Sequence, residues 1–173
     1  YTGNFGLWRG FPIFGFVDFF SGISFGMVFQ CLEFGTANLG HSPKIGFGEF
    51  KNFAPLASKV ILEISSKKCL FVAMLLHDIA KGRKGDHSEN GSLIASVVCP
   101  RLGLSKEETK TVEWLILYHL LMSKTAFRYE LGDARVIKSF VDKVKSVERL
   151  KLLLVLTVAD IKGVGPEIWN DWK

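Results

Sequence analysis

Cysteine is scarce in this chain of 173 residues. There are three, Cys31, Cys69 and Cys99, and none belongs to a CxxC pair. Disulfide frameworks and zinc fingers need paired or closely spaced cysteines, so the sequence favours neither class. Cys69 and Cys99 stand in apolar surroundings and are predicted to be core residues of a protein in a reducing compartment, which indicates the cytoplasm.

Concentrated charge and targeting signals are also missing. The net charge is +5, and the Lys and Arg residues are spread along the chain without the aromatic-interleaved basic stripe of single-strand binders. No basic start followed by a short apolar core and a cleavage site is visible, so we predict no signal peptide. Neither a nucleic-acid partner nor a membrane is expected.

The first 50 residues differ from the rest, because they hold eleven of the fifteen Phe and ten of the seventeen Gly. Asp18 is the only charge in an apolar run that is nearly long enough to span a bilayer. A charge at the centre of a span costs about 2.5–3.5 kcal/mol, and no helical period persists. A transmembrane segment, an irregular leader and a non-native stretch all remain open. We take residues 1–43 as an irregular or non-native leader and residues 44–173 as the domain.

Helical periodicity dominates from Phe50 onward, and no segment resembles a strand. The apolar fraction of 48% is enough for a buried core. Ser105 and Glu108 form a capping-box pattern for a helix that is expected to run to about Met122, and Pro100 is expected to end the helix before it. The sequence predicts an all-α bundle of five or six helices, with segments that begin near Pro55, Cys69, Ser88, Ser105, Asp133 and Val147.

Two of these helices, Cys69–Ala80 and Val147–Ile161, are apolar on nearly every side, which is typical of central buried helices. Each carries an acid at its end, Asp78 in the first and Asp160 in the second. An ionised carboxylate in such a place is costly unless it is paired or bound to a metal. His77 precedes Asp78 directly, so the first helix delivers a His-Asp pair.

Two further histidines belong to the same pattern. His87 forms a second acid–imidazole pair with Asp86, and His119 lies on the apolar side of its own helix. A single histidine there is more often a hydrogen-bonded core residue, and a charged loop after a helix is more often only solvated. Taken together, three histidines and three acids at helix ends or on apolar faces favour a metal site, since imidazole and carboxylate are the usual ligands.

Five blocks of the sequence carry a closer resemblance: HDIAKGRKGDHS (77–88), CPRLGLS (99–105), HLLMSKTAFR (119–128), ERLKLLLVLTVADI (148–161) and WNDWK (169–173). In this order and spacing they resemble the HD domain of bifunctional PII uridylyltransferase/uridylyl-removing enzymes, within the HD superfamily of metal-dependent phosphohydrolases. The resemblance implies an HD fold over residues 44–173 and hydrolysis of a UMP–tyrosine phosphodiester, with the uridylylated PII signalling protein as partner. No Gly-Ser followed by an Asp-x-Asp pair is present, so a fragment of a larger enzyme is expected.

The same resemblance implies the site residues. His77, Asp78 and Asp160 would be ligands of the principal metal, with Asp78 also a proton acceptor. His87 and His119 match the additional histidines that HD enzymes use for a second metal or for the substrate phosphate. The implied cofactor is a divalent metal, Mn or Mg ahead of Fe or Zn.

Cations follow the His-Asp pair. Lys81 stands four residues after His77, which predicts the same helix face, and would neutralise phosphate charge. Arg83 would suit the same role, although for Arg83 and Lys84 a solvated loop is the alternative.

The sequence departs from the family upstream. HD enzymes take another histidine from an earlier helix, and counting back from the His-Asp pair places Phe34 at that position. His41 is the only upstream histidine, but its Gly-His-Ser-Pro context is poor for a helix. We expect the ligand to be missing rather than replaced by His41, and metal binding and activity to be impaired. The alternatives are a metal-free regulatory or protein-binding module and a general HD nucleotide phosphohydrolase.

Overall fold

The computed structural model describes residues 54–164, with side chains to residue 161, and this part of the chain is helical and contains no strand. The predicted all-α fold is therefore confirmed. The predicted leader, residues 1–43, lies outside the described residues. The helices are α1 (Pro55–Glu63), α2 (Lys67–Leu76), α3 (His87–Arg101), α4 (Lys106–Tyr118), α5 (Leu121–Arg128), α6 (Ala134–Val144) and α7 (Val147–Val164).

Side-chain caps set the starts of several helices. The Ser105 hydroxyl accepts from the Glu108 N–H at 3.2 Å, and the Glu108 carboxylate accepts from the Ser105 N–H at 2.7 Å, which completes the predicted capping box of α4. Asp133 starts α6 by accepting from the Arg135 N–H at 2.8 Å. The sequence predicted the cap at Ser105 and a helix start near Asp133, and both side chains satisfy N–H groups that a helix start leaves without partners.

Helix ends differ from the prediction at several places, and α2 ends at Leu76 rather than at Ala80. The segment expected to run unbroken to about Met122 forms two helices, α4 and α5, so a short seventh helix joins the six that were predicted. No Gly or Pro marks this break, and Leu120 precedes α5 without a side-chain cap. Helix α3 continues past Pro100 to Arg101, since a proline in the last turn removes only one hydrogen bond.

Helix α7 is the centre of the bundle. Helices α1, α2, α4, α5 and α6 all pack against it. Its residues Leu152, Leu153, Val155 and Leu156 are at most 1% exposed, which confirms that α7 is buried on nearly every side. Each fully buried Leu of this kind contributes about 1.5–3 kcal/mol through the removal of apolar surface from water.

Cys69 and Cys99 are buried free thiols, as predicted for core residues. Burial is the main cause that raises the pKa of the Cys99 thiol, to about 11. Cys99 is therefore a small apolar core residue rather than a nucleophile.

The packing brings several helix ends together. Helix α3 packs along α4, and only four residues connect them, so the start of α3 lies beside the end of α4. Helix α2 packs against α4 and α7. The chemistry-bearing residues of the sequence fall at this junction of helix ends. No helix within residues 54–164 is long and apolar enough to cross a membrane.

Candidate metal centre

His77 lies just past the end of α2, where the helix gives way to a series of turns. Its Nδ1 lies 2.8 Å from the Met74 carbonyl oxygen. Because a carbonyl oxygen only accepts, Nδ1 carries the proton and donates it. The other ring nitrogen, Nε2, faces two carboxylates: it lies 3.4 Å from Asp160 Oδ1 and 3.7 Å from Asp78 Oδ2.

His119 repeats this arrangement at the end of α4. Its Nδ1 donates to the Ile116 carbonyl oxygen at 2.7 Å, and the residue is 1% exposed. Its Nε2 lies 3.4 Å from Nε2 of His87, the first residue of α3. The prediction that His119 lies on the apolar side of α4 is confirmed, and the ring is turned toward the junction of helix ends.

Charge and burial act on these groups in opposite directions. Burial disfavours a protonated His77, but the hydrogen bond and charge of Asp160 outweigh burial and raise the pKa of His77. Burial alone would raise the pKa of Asp160, yet its hydrogen bond to His77 lowers it. The pKa of His119 is lowered, chiefly by burial, so its imidazole is neutral near pH 7 and its Nε2 is free to bind.

The donor atoms lie close to the spacing that a divalent metal requires. Ligand atoms about 2.1 Å from one ion would lie about 3.0–4.2 Å from one another. Asp78, His87 and His119 each offer one donor atom, and these atoms all lie within 4.8 Å of one another. His77 and Asp160 adjoin this group, because His77 Nε2 contacts both carboxylates. The structure thus brings together all five residues that the sequence suggested as ligands.

Asp78 stands between the two parts of the cluster. Its Oδ2 faces His77, and its Oδ1 lies 3.9 Å from His87 Nε2. Side-chain exposures of 26% for Asp78, 25% for Asp160 and 31% for His87 leave these groups open to a ligand from solvent. His77, at 8%, closes the inner side.

Lys81 contacts the cluster, but from a turn and not from the helix that was predicted. Helix α2 ends at Leu76, so the prediction that Lys81 shares a helix face with His77 is wrong. Lys81 instead lies in the following turns, where its main-chain N–H donates to the Asp78 carbonyl at 2.9 Å. Its ammonium group donates to Asp78 Oδ2 at 2.7 Å, and this hydrogen bond raises the pKa of Lys81.

Asp86, the acid of the second acid–imidazole pair, lies outside the cluster. Its Oδ1 accepts from the Ser88 N–H at 2.8 Å and the Glu89 N–H at 3.1 Å, so it caps α3. These hydrogen bonds to main-chain N–H groups lower its pKa. Asp86 therefore fixes where α3 begins and thereby places His87.

Gly91 is a residue that the sequence analysis missed. A Cβ on Gly91 would lie 2.9 Å from Ile116 Cγ2 and 3.7 Å from the His77 carbonyl oxygen. Its lack of a side chain therefore lets α3 approach both α4 and the turn that carries His77. A glycine inside a helix costs about 1 kcal/mol relative to Ala, and that cost was the available signal for close packing.

The position of the family's upstream histidine lies outside the part of the chain that the structure describes. Phe34, which stands where the family has a histidine, and His41 both lie outside the described residues. The five clustered residues are therefore the ligand candidates of the described part of the chain.

Comparison with known proteins agrees with this cluster. A family model described as "HD domain" matches residues 50–161. The chain belongs to the HD domain family. HD domains are metal-dependent phosphohydrolases, and the cluster of imidazole and carboxylate groups lies within the matched residues.

Several curated relatives of this HD domain are called bifunctional uridylyltransferase/uridylyl-removing enzymes. The one from Azospirillum brasilense is 56% identical over 135 residues, which cover 78% of this chain and 14% of the relative. The one from Novosphingobium aromaticivorans is 54% identical over 135 residues, which cover 78% and 15%. The chain thus spans about a seventh of the length of these relatives. No solved structure shows a significant match to the chain.

Proposed function

We propose that this HD domain removes UMP from the uridylylated PII protein by hydrolysing the phosphodiester that joins the two. The observation that carries the proposal is the cluster at the junction of helix ends, where His77 Nε2 and His119 Nε2 are both turned toward carboxylate or imidazole donors. The relatives supply the uridylyl group, because "uridylyl-removing" is part of the name of proteins about half identical to this chain. PII as the protein that carries this group is what the resemblance of the five sequence blocks implies.

Five residues would hold the metal: His77, Asp78, His87, His119 and Asp160. A bound divalent ion would lower the pKa of a water molecule and polarise the phosphoryl oxygens. The two carboxylates are ligands that suit Mn or Mg, and the three imidazoles are ligands that suit Fe or Zn. The neutral His119 and the anchored Nδ1 protons require little rearrangement for this binding.

The other roles follow from position. Asp78, with one oxygen toward His77 and the other toward His87, would accept the proton of the attacking water. Lys81, whose ammonium group is already held at Asp78, would offset the negative charge on the phosphate. His87, at the more exposed side of the cluster, would contact the phosphate or complete the ligand set.

The direct test is release of UMP from uridylylated PII by the whole chain in the presence of Mn²⁺ or Mg²⁺. We expect Asp78→Ala to lower kcat/KM at least about 100-fold, because it removes a ligand and the proton acceptor together. Asp142→Ala, a change of the same kind on the exposed side of α6, should leave the rate within about twofold.

The competing functions give different results. Turnover of free nucleotides without release of UMP from PII would indicate a general nucleotide phosphohydrolase. Binding of PII with no turnover and no bound metal would indicate the metal-free regulatory module.

A further inference from the structure

The chain between the His-Asp pair and α3 forms an exposed basic turn, Gly82–Gly85, that carries Arg83 and Lys84. We propose that this basic turn is a docking surface for an acidic protein surface next to the scissile phosphodiester. The proposal rests on the proposed function, since it concerns the protein part of that substrate. It adds a recognition element that lies beside the metal cluster and takes no part in the chemistry.

A glycine at each end shapes the turn, and one side-chain hydrogen bond attaches it to α3. Gly82 and Gly85 have φ angles of 83° and 90°, in the left-handed region that glycine adopts at little cost. Between them, the Lys84 carbonyl oxygen accepts from the Asn90 side chain at 2.9 Å, which ties the turn to α3. This hydrogen bond places the backbone of Lys84 beside the first turn of α3, which carries His87.

Within residues 54–161, the charges on the turn have no acidic partner. Arg83 and Lys84 are exposed, and neither side chain makes an ion pair or a hydrogen bond with any residue in the described part of the chain. The neighbouring charges are engaged elsewhere, because Lys81 pairs with Asp78 and Asp86 caps α3. The guanidinium and the ammonium groups are thus available to an outside partner.

The reaction itself does not account for these two cations. A divalent ion would add two positive charges, which the carboxylates of Asp78 and Asp160 would offset. The single positive charge of Lys81 would then match the single negative charge of a phosphodiester. The positive charges of Arg83 and Lys84 are therefore not needed to neutralise the phosphodiester. Arg83 is nevertheless close to it, because only two residues, or about 7 Å of backbone, separate Arg83 from Lys81. Cations at this distance face whatever surrounds the phosphodiester, which in a nucleotidylated protein is protein surface.

An acidic protein suits the turn better than a nucleic acid does. Single-strand binders combine cations with aromatic side chains on which bases stack. The segment from Asp78 to Ser92 contains no Phe, Tyr or Trp. Two rim cations without a stacking surface are typical of electrostatic complementarity between proteins.

Binding tests the proposal independently of turnover. The whole chain and an Arg83→Ala/Lys84→Ala variant are titrated against uridylylated PII, and Lys138→Ala/Lys143→Ala, a charge-matched pair on the exposed side of α6, is the control. We expect the first variant to raise Kd about tenfold at 50 mM salt, with the difference shrinking below about twofold at 0.5 M salt because the contacts are screened. The control should stay within twofold of the parent chain.

The docking surface would be overturned if the parent chain does not bind PII, or if both double variants weaken binding equally. It would also be overturned if the Arg83→Ala/Lys84→Ala variant keeps its affinity for PII but loses binding to a single-stranded RNA. Hydrolysis rates identify the remaining case, in which the turn contacts the phosphodiester itself. An equal loss of hydrolysis of uridylylated PII and of bis(p-nitrophenyl) phosphate would place the turn on the diester and overturn the proposal. Binding that behaves as expected, with no hydrolysis by the parent chain, would contradict the proposed function and support the docking surface.

Discussion

Met74 and Ile116 contribute main-chain carbonyl groups that hold two buried imidazoles in the same tautomer. Each carbonyl accepts from Nδ1 of the histidine three residues later, so Nε2 of His77 and of His119 faces the cluster. Metal-ligating histidines usually have their second nitrogen held in this way, because it fixes the ring orientation and raises the basicity of the donor. The anchoring thus prepares both rings for a metal before any metal binds.

The His77–Asp160 pair predicts the pH dependence of the metal-free chain. The pKa of His77 is raised above its ordinary value of 6.5, and the pKa of Asp160 is lowered below its ordinary value of 3.8. The Asp160 contribution is present above pH 3.8, and the His77 contribution is lost as pH rises above 6.5 through its folded-state pKa. In EDTA, the unfolding temperature should therefore fall as the pH is raised above 6.5.

A variant isolates the pair in that experiment. Asp160→Asn should remove most of the decline in unfolding temperature, whereas Asp142→Asn should leave it in place. The lowered pKa of His119 affects stability only below pH 6.5, so it does not interfere in this range. A decline of unchanged size in Asp160→Asn would show that the pair does not set the pH dependence.

Phe34 is the position at which a restored ligand should matter. The phenyl ring of Phe has no nitrogen or oxygen donor atom for a metal, so we expect Phe34→His to tighten Mn²⁺ binding about tenfold or more, as measured by calorimetry. His41→Ala is the companion variant. If His41 already serves as the upstream ligand, His41→Ala will weaken binding and Phe34→His will change nothing, which would contradict the missing-ligand interpretation.

The residues of the cluster could be predicted from the sequence, whereas the main-chain carbonyl groups that hold the imidazoles could not. His77, Asp78 and Asp160 stood out because ionisable groups at the ends of apolar helices are costly without a partner. The sequence did not indicate which carbonyl groups would accept, since this depends on where α2 and α4 end. Asp86 looked equivalent to Asp78 in sequence, and only the fold distinguishes a helix cap from a member of the cluster.

At the scale of helices, the contact of α3 with α4 controls the distance between His87 and His119. Gly91→Ala would place a Cβ 2.9 Å from Ile116 Cγ2, and Ile116 is fully buried. The helices must then separate, so we expect metal affinity to fall about tenfold and stability to fall by about 1–3 kcal/mol, measured by calorimetry and by urea unfolding.

The double variant Gly91→Ala/Ile116→Ala tests that explanation. Removing Ile116 Cγ2 restores the space, so metal affinity should recover toward that of the parent chain even though the smaller core costs stability. Affinity that falls further in the double variant would show that Gly91 does not act through its contact with Ile116.

Helix starts were more predictable than helix ends. Ser105 and Asp133 carry their signals in their own side chains, which cap a helix wherever the fold allows one to begin. The break between α4 and α5 has no such signal, because His119 and Leu120 continue the apolar pattern of α4. Pro100 was read as a terminator, yet it lies in the last turn of α3, where the helix tolerates it.

At the scale of the whole chain, the apolar central helices serve to hold polar groups at one place. Helix α7 is buried on nearly every side and supplies Asp160, and α2 is buried and ends just before His77 and Asp78. The chain spans about a seventh of the length of its curated relatives, and the part that the family model matches is one HD unit. What that unit does depends first on whether the cluster holds a metal.

Metal content of the purified chain, measured by elemental analysis beside Asp78→Ala, tests that claim most directly. We predict about one Mn, Mg, Fe or Zn per parent chain and a loss of most of it in the variant, because Asp78 contacts both parts of the cluster. A parent chain without metal, even after incubation with Mn²⁺ or Mg²⁺, would contradict the account. The HD fold would then remain, with a ligand cluster that binds no metal.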